Sequence, residues 1–297
     1  MYNAYFGLTE NPFNISPDPA FFYRSQQHEE ALANLIYGVQ SRKGFIVLTG
    51  EVGTGKTTML ECLRDYLYSQ RMEFAFIFNS RIRPEDLYEM IAYDLDLRCD
   101  RSSKTEVLYA LNDLLIQQTN EGRSVVLIVD EAHNLEWEVL EEIRMLGNFE
   151  NRSGKLLQVI LAGQPEFDRK LDAPNLRQLK QRVVLRCSLK PFDEVETVQY
   201  IQTRLEKAGM PDQSVFPPEV LTEIHLRAQG IPRLINGICD NLLLTAFALE
   251  SRVCNLEMLD EVTADMRLEW PGRRLRVRSV GASEEVLRQT AQSVRGV

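Results

Sequence analysis

The chain has 297 residues, with 44% hydrophobic and 26% charged residues and a net charge of -9. That length and composition fit a folded globular protein with one large domain and a smaller one. The acidic balance excludes a surface coated for non-specific nucleic-acid binding and leaves only a local basic patch open.

The first forty-odd residues crowd Tyr2, Tyr5, Phe6, Phe13, Phe21, Phe22 and Tyr23 among Pro12, Pro17 and Pro19. Proline at that density forbids a continuous helix. Two readings fit the rings: they fold over an adenine ring, or they seal an edge of a sheet. From His28 to Val39 apolar residues return at helical spacing, as Leu32, Leu35, Ile36 and Val39, with Gly38 and Gly44 at the end.

Phe45-Ile46-Val47-Leu48-Thr49 then reads as a buried strand, and Gly50-Glu51-Val52-Gly53-Thr54-Gly55-Lys56-Thr57 follows it. This stretch fits the phosphate-loop pattern G-x-x-x-x-G-K-[ST] at every fixed position. Met59, Leu60, Leu63 and Leu67 continue at helical spacing, so the loop joins a strand to a helix. The glycines let backbone N–H groups turn toward one polyphosphate, and the helix aims its positive end at the same anion. Lys56 reaches the β- and γ-phosphates, and Thr57 offers its hydroxyl to Mg²⁺. The expected nucleotide contacts are Gly50, Glu51, Val52, Gly53, Thr54, Gly55, Lys56, Thr57 and Thr58.

Phe74 to Phe78 reads as a second buried strand, and Pro84 opens a helix carrying Leu87, Met90, Ile91 and Leu95. Ser103 and Glu106 have capping-box spacing for the next helix, which Gly122 ends. Val125-Val126-Leu127-Ile128-Val129 is an apolar strand that finishes in Asp130-Glu131. Asp130 suits Mg²⁺, directly or through water, and Glu131 suits a general base acting on the attacking water. His133 completes the letters D-E-A-H of helicases, but a single set of nucleotide motifs does not make a tandem helicase. His133 is expected to pack or hydrogen-bond locally.

A helix with Leu140, Ile143 and Leu146 leads to the strand Leu156 to Gly163, with Gln164 at its end. Neighbouring parallel strands finish at one sheet edge, so Gln164 is expected near Asp130 and the γ-phosphate. The basic stretch Leu176 to Arg182 precedes an expected edge strand, Val183 to Arg186. It is either a solvated face or the presenter of an arginine to a neighbouring subunit's nucleotide.

At Pro191 the composition changes, and the chain reads as helices only. Asp193 with Glu196, Pro217-Pro218 and Pro232 start three of them, and a fourth carries Leu256, Leu259 and Val262. Arg233 stands in the first turn of the third, where a positive charge opposes the helix dipole. Either it reaches the γ-phosphate from a lid or it is a surface arginine. Arg273, Arg274, Arg276 and Arg278 make a basic run after Trp270-Pro271-Gly272, and Ser283 has the position of a cap for a last helix. The run suits a polyanion contact or a solvated tail.

Cys62, Cys99, Cys187, Cys239 and Cys254 form no C-x-x-C pair, and the three histidines are far apart, so free thiols are expected and zinc is not. No signal-peptide pattern or bilayer-spanning run occurs, and the expectation is a cytoplasmic protein without a membrane span. The domains are expected at 1–44 (aromatic and proline-rich segment with its helix), 45–190 (α/β nucleotide-binding core), 191–268 (helical lid) and 269–297 (basic tail).

The order of phosphate loop, strand-end Asp-Glu, polar strand end, pre-strand arginine and G-x-P-R in a helical lid is similar to AAA+ ATPases. The opening resembles, more narrowly, the ExeA/GspA-type ATPases linked to bacterial secretion. The residues that carry this are Phe6-Gly7-Leu8, Asn11-Pro12-Phe13, Pro17-Asp18-Pro19 with Phe21-Phe22-Tyr23, His28 with Glu30-Ala31-Leu32, and Gly163-Gln164-Pro165-Glu166. The resemblance covers about residues 1–268. It implies an α/β P-loop NTPase with a parallel sheet and a small helical lid, binding ATP and Mg²⁺ and assembling into homo-oligomers. Under it Lys56 and Thr57 match Walker A, Asp130 and Glu131 match Walker B, and Gln164 matches sensor 1. Arg182 matches the arginine finger, with Arg177 as the alternative, and Arg233 matches sensor 2. The implied function is an oligomeric ATPase motor or switch acting on a protein partner in a secretion, pilus or exopolysaccharide export system. The same group includes TnsC-like transposition regulators, which implies the alternative of an ATP-switched scaffold on DNA, reached through the basic tail.

Overall fold

The structure is a computed structural model that describes residues 2–16, 18–78, 81–152, 154–210 and 213–268. The arginine run at 273–278 and the helix expected after Ser283 lie outside the described residues. The described residues form two compact units, one within 16–191 and one that joins residues 2–15 to those within 192–268.

A short helix, α1 (Tyr2–Phe6), opens the chain and belongs to the second unit. The first unit begins with α2 (Gln26–Gln40), β1 (Phe45–Gly50), α3 (Lys56–Ser69) and β2 (Phe74–Ile77). Then come α4 (Pro84–Asp94), α5 (Lys104–Asn120), β3 (Val125–Val129) and α6 (Trp137–Leu146). A two-residue antiparallel pair, β4 (Glu150–Asn151) and β5 (Gly154–Lys155), leads to β6 (Leu157–Gly163). The unit closes with α7 (Glu166–Leu171), α8 (Arg177–Arg182) and β7 (Val183–Leu189).

Five strands make one sheet in the order β2-β3-β6-β1-β7, and every pairing is parallel. Each position of β1, β3 and β6 is buried, because helices cover both faces. Alternation along the strands divides the core. Phe45, Val47, Leu127, Val129, Val159 and Leu161 face α4, α5 and α6, through Leu87, Ile91, Leu111, Leu140 and Ile143. Ile46, Leu48, Val126, Ile128, Ile160 and Ala162 face α2 and α3, through Leu35, Val39, Met59, Leu60 and Leu63. Each such fully buried side chain contributes about 2 kcal/mol, so the apolar letters alone tie the strands to their covering helices. Register pairs Thr49 with Gly163 and Val129 with Leu161, which brings the carboxyl ends of β1, β3 and β6 to one edge. At the outer strand β2, the Phe76 amide donates to Asp94 Oδ2 at 2.7 Å, satisfying a donor the ladder leaves unpaired.

The second unit packs α9 (Glu194–Lys207), α10 (Pro218–Ala228), α11 (Pro232–Ala248) and α12 (Leu256–Asp265) around Ile201, Leu205, Ile224, Ile238, Leu242 and Leu259. Asp193 and Glu196 start α9 in a reciprocal capping box. The N-terminal rings find their place here. Tyr2 hydroxyl donates to Asp240, Tyr5 meets Phe247 edge-on, and fully buried Phe13 lies 6.1 Å from the Phe216 ring. While Phe22 packs against the α2–α3 side of the sheet core, these three rings seal the helical bundle, which neither expected placement covers. Their partners lie some two hundred residues downstream, beyond the reach of local pattern.

The box expected at α5 is half formed. Ser103 Oγ accepts the Glu106 amide at 3.4 Å, but the Glu106 carboxylate takes the Asp100 amide at 3.0 Å. The turn at Asp100 is the nearer donor. All five cysteines are free. Burial pushes the Cys187 thiol up to about 11 and the Cys254 thiol up to about 12. Among the described residues no helix is long and apolar enough to cross a membrane.

Candidate functional site

The loop from Gly50 to Gly55 leaves β1 at the sheet's carboxyl edge and enters α3 directly. Gly50 is needed for space, because a Cβ there would stand 2.9 Å from the Leu189 carbonyl and 2.7 Å from Thr54 Oγ1. Gly55 is needed for conformation, with φ +99° immediately before the first turn of α3. Glu51 and Val52 form the exposed tip, Gly53 also has positive φ, and Thr54 is fully buried with Oγ1 donating to the Glu51 carbonyl at 2.8 Å. Lys56, Thr57 and Thr58 supply the first three amides of α3, which no carbonyl of that helix can accept.

Lys56 is buried, and its ammonium donates to the carbonyls of Gly50 at 2.7 Å and Glu51 at 3.0 Å. Burial lowers its pKa, opposed by the negative charges of Glu131 and Asp130. Thr57 Oγ1 lies 3.3 Å from Asp130 Oδ2, joining the second residue of α3 to the end of β3. Asp130 is buried, and its Oδ1 accepts the Glu131 amide at 2.8 Å. Burial raises its pKa, with the Glu131 amide pulling the other way.

Glu131 turns the chain out of β3 in a left-handed conformation, φ 52°, unusual for a residue with a side chain. Its carboxylate meets His133, with Oε2 3.3 Å from Nδ1. The other ring nitrogen of His133 lies 3.1 Å from Nε2 of Gln164. The Gln164 backbone amide also donates to Nδ1, at 3.4 Å, so His133 engages Gln164 at both ring nitrogens. His133 thus ties Gln164, at the end of β6, to the turn that follows β3, with the Glu131 carboxylate close to its ring. Lys170 of α7 holds the turn beneath, donating to the His133 carbonyl at 3.1 Å and to the Leu135 carbonyl.

Lys56, Thr57, Asp130, Glu131 and Gln164 therefore meet at one edge of the first unit. Arg182 makes its contacts elsewhere. Arg182 closes α8 and donates to the Arg144 carbonyl at 2.8 Å and to Asn148 Oδ1 at 2.7 Å, at the C-terminal end of α6. Arg177 opens α8 and is exposed. Arg233 is exposed in the first turn of α11, in the second unit. His133, expected to pack or hydrogen-bond locally, does so with Gln164 at the neighbouring strand end and stands beside Glu131. His28 is a loop contact that the sequence pattern does not announce. The available signal was a histidine at the start of a helix just upstream of a phosphate loop.

A family profile described as AAA domain matches residues 39–171. General secretion pathway protein A of Aeromonas hydrophila is 45% identical over 249 residues, which is 84% of this chain. The chain spans 45% of that protein's length. Among solved structures, Cdc6p from Pyrobaculum aerophilum aligns with a TM-score of 0.69 at 21% identity, over 87% of this chain and 71% of that one. The Aeropyrum pernix ORC2 protein, in ADPNP–ADP complexes, aligns with a TM-score of 0.65 at 15% identity, over 86% and 71%. At such identities the two structures speak for the fold.

Proposed function

From the premise that the chain belongs to the AAA+ proteins resembling general secretion pathway protein A, we propose that it is a magnesium-dependent ATPase converting ATP to ADP and phosphate. It works as a cytoplasmic homo-oligomer, a motor or switch acting on a protein partner of an export apparatus. The observation that carries this reading is the meeting of the Thr57 hydroxyl and the Asp130 carboxylate at 3.3 Å, beside a lysine ammonium folded into the loop.

The roles follow from the chemistry of each group. The amides of the loop and of the first turn of α3 bind the phosphates, and Lys56 exchanges its loop carbonyls for phosphate oxygens. Thr57 and Asp130 are hard oxygen donors, one neutral and one anionic, and they fit magnesium. That ion keeps few protein ligands and completes its shell with waters and phosphate oxygens. When bound it neutralises charge on the β- and γ-phosphate oxygens. Glu131 accepts a proton from the attacking water, with the His133 ring 3.3 Å from its carboxylate. Arg182 acts on a neighbouring subunit's nucleotide, and Arg233 acts on its own chain's γ-phosphate.

The test is the steady-state ATPase rate at low salt, across protein concentrations, with and without magnesium and duplex DNA. A magnesium-dependent rate that rises more steeply than protein concentration and ignores DNA supports the reading. No turnover with magnesium at any concentration would overturn it. Strong DNA stimulation abolished by salt would replace the protein partner with a polyanion.

A further inference from the structure

A buried imidazole outside the reacting groups touches the back of the phosphate loop. His28 sits in the first turn of α2 and is 3% exposed, and both of its ring nitrogens are engaged. Nδ1 lies 2.8 Å from the hydroxyl of Ser25, the residue that caps α2. Nε2 lies 3.2 Å from the carbonyl oxygen of Thr54. A carbonyl only accepts, so Nε2 carries the proton and Nδ1 accepts from the serine hydroxyl. The ring is further fixed by Phe22, edge-on at 5.8 Å between centroids. It lies close under the loop, since a Cβ on Gly55 would come within 3.4 Å of Nε2.

The consequence concerns one peptide plane. In a trans peptide the C=O of Thr54 and the N–H of Gly55 point in opposite directions. Tying that carbonyl down onto His28 turns the Gly55 amide to the other side, the side of the free amides of α3. The plane needs such a tether. It turns on Thr54 and on Gly55, which stands at φ +99° and, lacking a Cβ, tolerates either sense of the plane. A flipped plane would present a carbonyl oxygen where an anion binds.

We propose that His28 is a positioning residue for the nucleotide, holding the Thr54–Gly55 peptide with its N–H toward the phosphates. The inference rests on the phosphate-loop reading and deepens it. It ties nucleotide affinity to the seating of α2 on the loop, through a residue that never touches ligand.

The test is titration of the full chain with a fluorescent ADP analogue, with circular dichroism confirming that each variant is folded. His28→Gln places an amide N–H where Nε2–H stood and keeps the tether. His28→Asn reaches Ser25 but falls short of Thr54. The expected result is a Kd within about threefold of wild type for Gln and about tenfold weaker for Asn and for His28→Ala, the loss of one buried hydrogen bond. Equal affinity of Gln and Asn variants would overturn the proposal, whether both bind well or both bind poorly. Lys56→Ala, run in parallel, separates the two readings. If it binds like wild type, the phosphate-loop assignment itself has failed. If it loses binding while the His28 variants match wild type, only this inference has failed.

Discussion

His133 and Gln164 lie on different strand ends yet meet at 3.1 Å between ring nitrogen and amide nitrogen. The Gln164 backbone amide donates to the other ring nitrogen at 3.4 Å, and Glu131 Oε2 stands 3.3 Å from that same nitrogen. His133→Ala removes the ring that holds Gln164 and stands beside the Glu131 carboxylate, leaving both free to move. We expect kcat to fall about tenfold to a hundredfold, the range for misorienting a general base. KM for ATP should stay within about twofold, since the ring touches no loop amide. His133→Asn, with an amide oxygen near the Nδ1 position to accept the Gln164 N–H, should recover part of the loss. An unchanged kcat in the alanine variant would leave the Gln164 contact without consequence for turnover.

Glu131→Gln removes the base and keeps the shape. The left-handed turn at φ 52° and the amide donated to Asp130 belong to the backbone, so the site should remain assembled. ATP should bind with wild-type affinity while turnover drops at least about a hundredfold. Single-turnover quench-flow reads the two separately, and a wild-type rate in this variant would assign the proton transfer elsewhere.

The parallel sheet and the helices around it were legible because their letters repeat at the right period. The runs at β1, β3 and β6 are apolar throughout, as strands buried on both faces must be. The loop and the Asp130-Glu131 pair were legible because their chemistry is concentrated in a few adjacent letters. What local pattern does not hold is which distant elements meet. The insertion of β6 between β1 and β3, and the burial of Phe13 against Phe216, depend on contacts that only the closed chain makes. The hydrogen bonding expected of His133 is present, but its partner Gln164, like the Thr54 partner of His28, lies about thirty residues away and is not written in the local pattern.

Asp130 exposes a conflict between stability and function. Its carboxylate is buried and its pKa is raised mainly by that burial, so the folded state holds a proton there more tightly than the unfolded chain does. Stability is therefore lost as pH rises past the ordinary carboxylate value, and the loss is complete above the folded-state value. Asp130→Asn keeps an oxygen for the Glu131 amide and removes the charge. At neutral pH we expect about 1 kcal/mol of added stability, a rise of about 2–4 °C in Tm. The gain should close as pH falls below the ordinary carboxylate value. ATPase activity should be lost at every pH. Thermal melts at neutral and acid pH check the sign, and an equal gain at both would remove burial of the charge as the cause.

Arg182 and Arg177 sit at opposite ends of α8, and their surroundings separate two ways of serving a neighbouring subunit. Arg182 already holds the end of α6, through the Arg144 carbonyl and Asn148, and must release both contacts to reach another chain. Arg182→Ala should therefore cost about 1 kcal/mol of stability as well as activity, because a cation and two donors leave a helix C-terminus. Arg177→Ala, on an exposed position, should leave Tm unchanged. Mixing each variant with wild type then reads the shared site. If Arg182 is the trans-acting group, hybrids with Arg182→Ala fall below the rate expected from the wild-type fraction, while Arg177→Ala mixtures follow it. The reverse pattern would move the role to Arg177 and leave Arg182 as a brace for α6. Strict additivity in both mixtures would argue that each chain completes its own site.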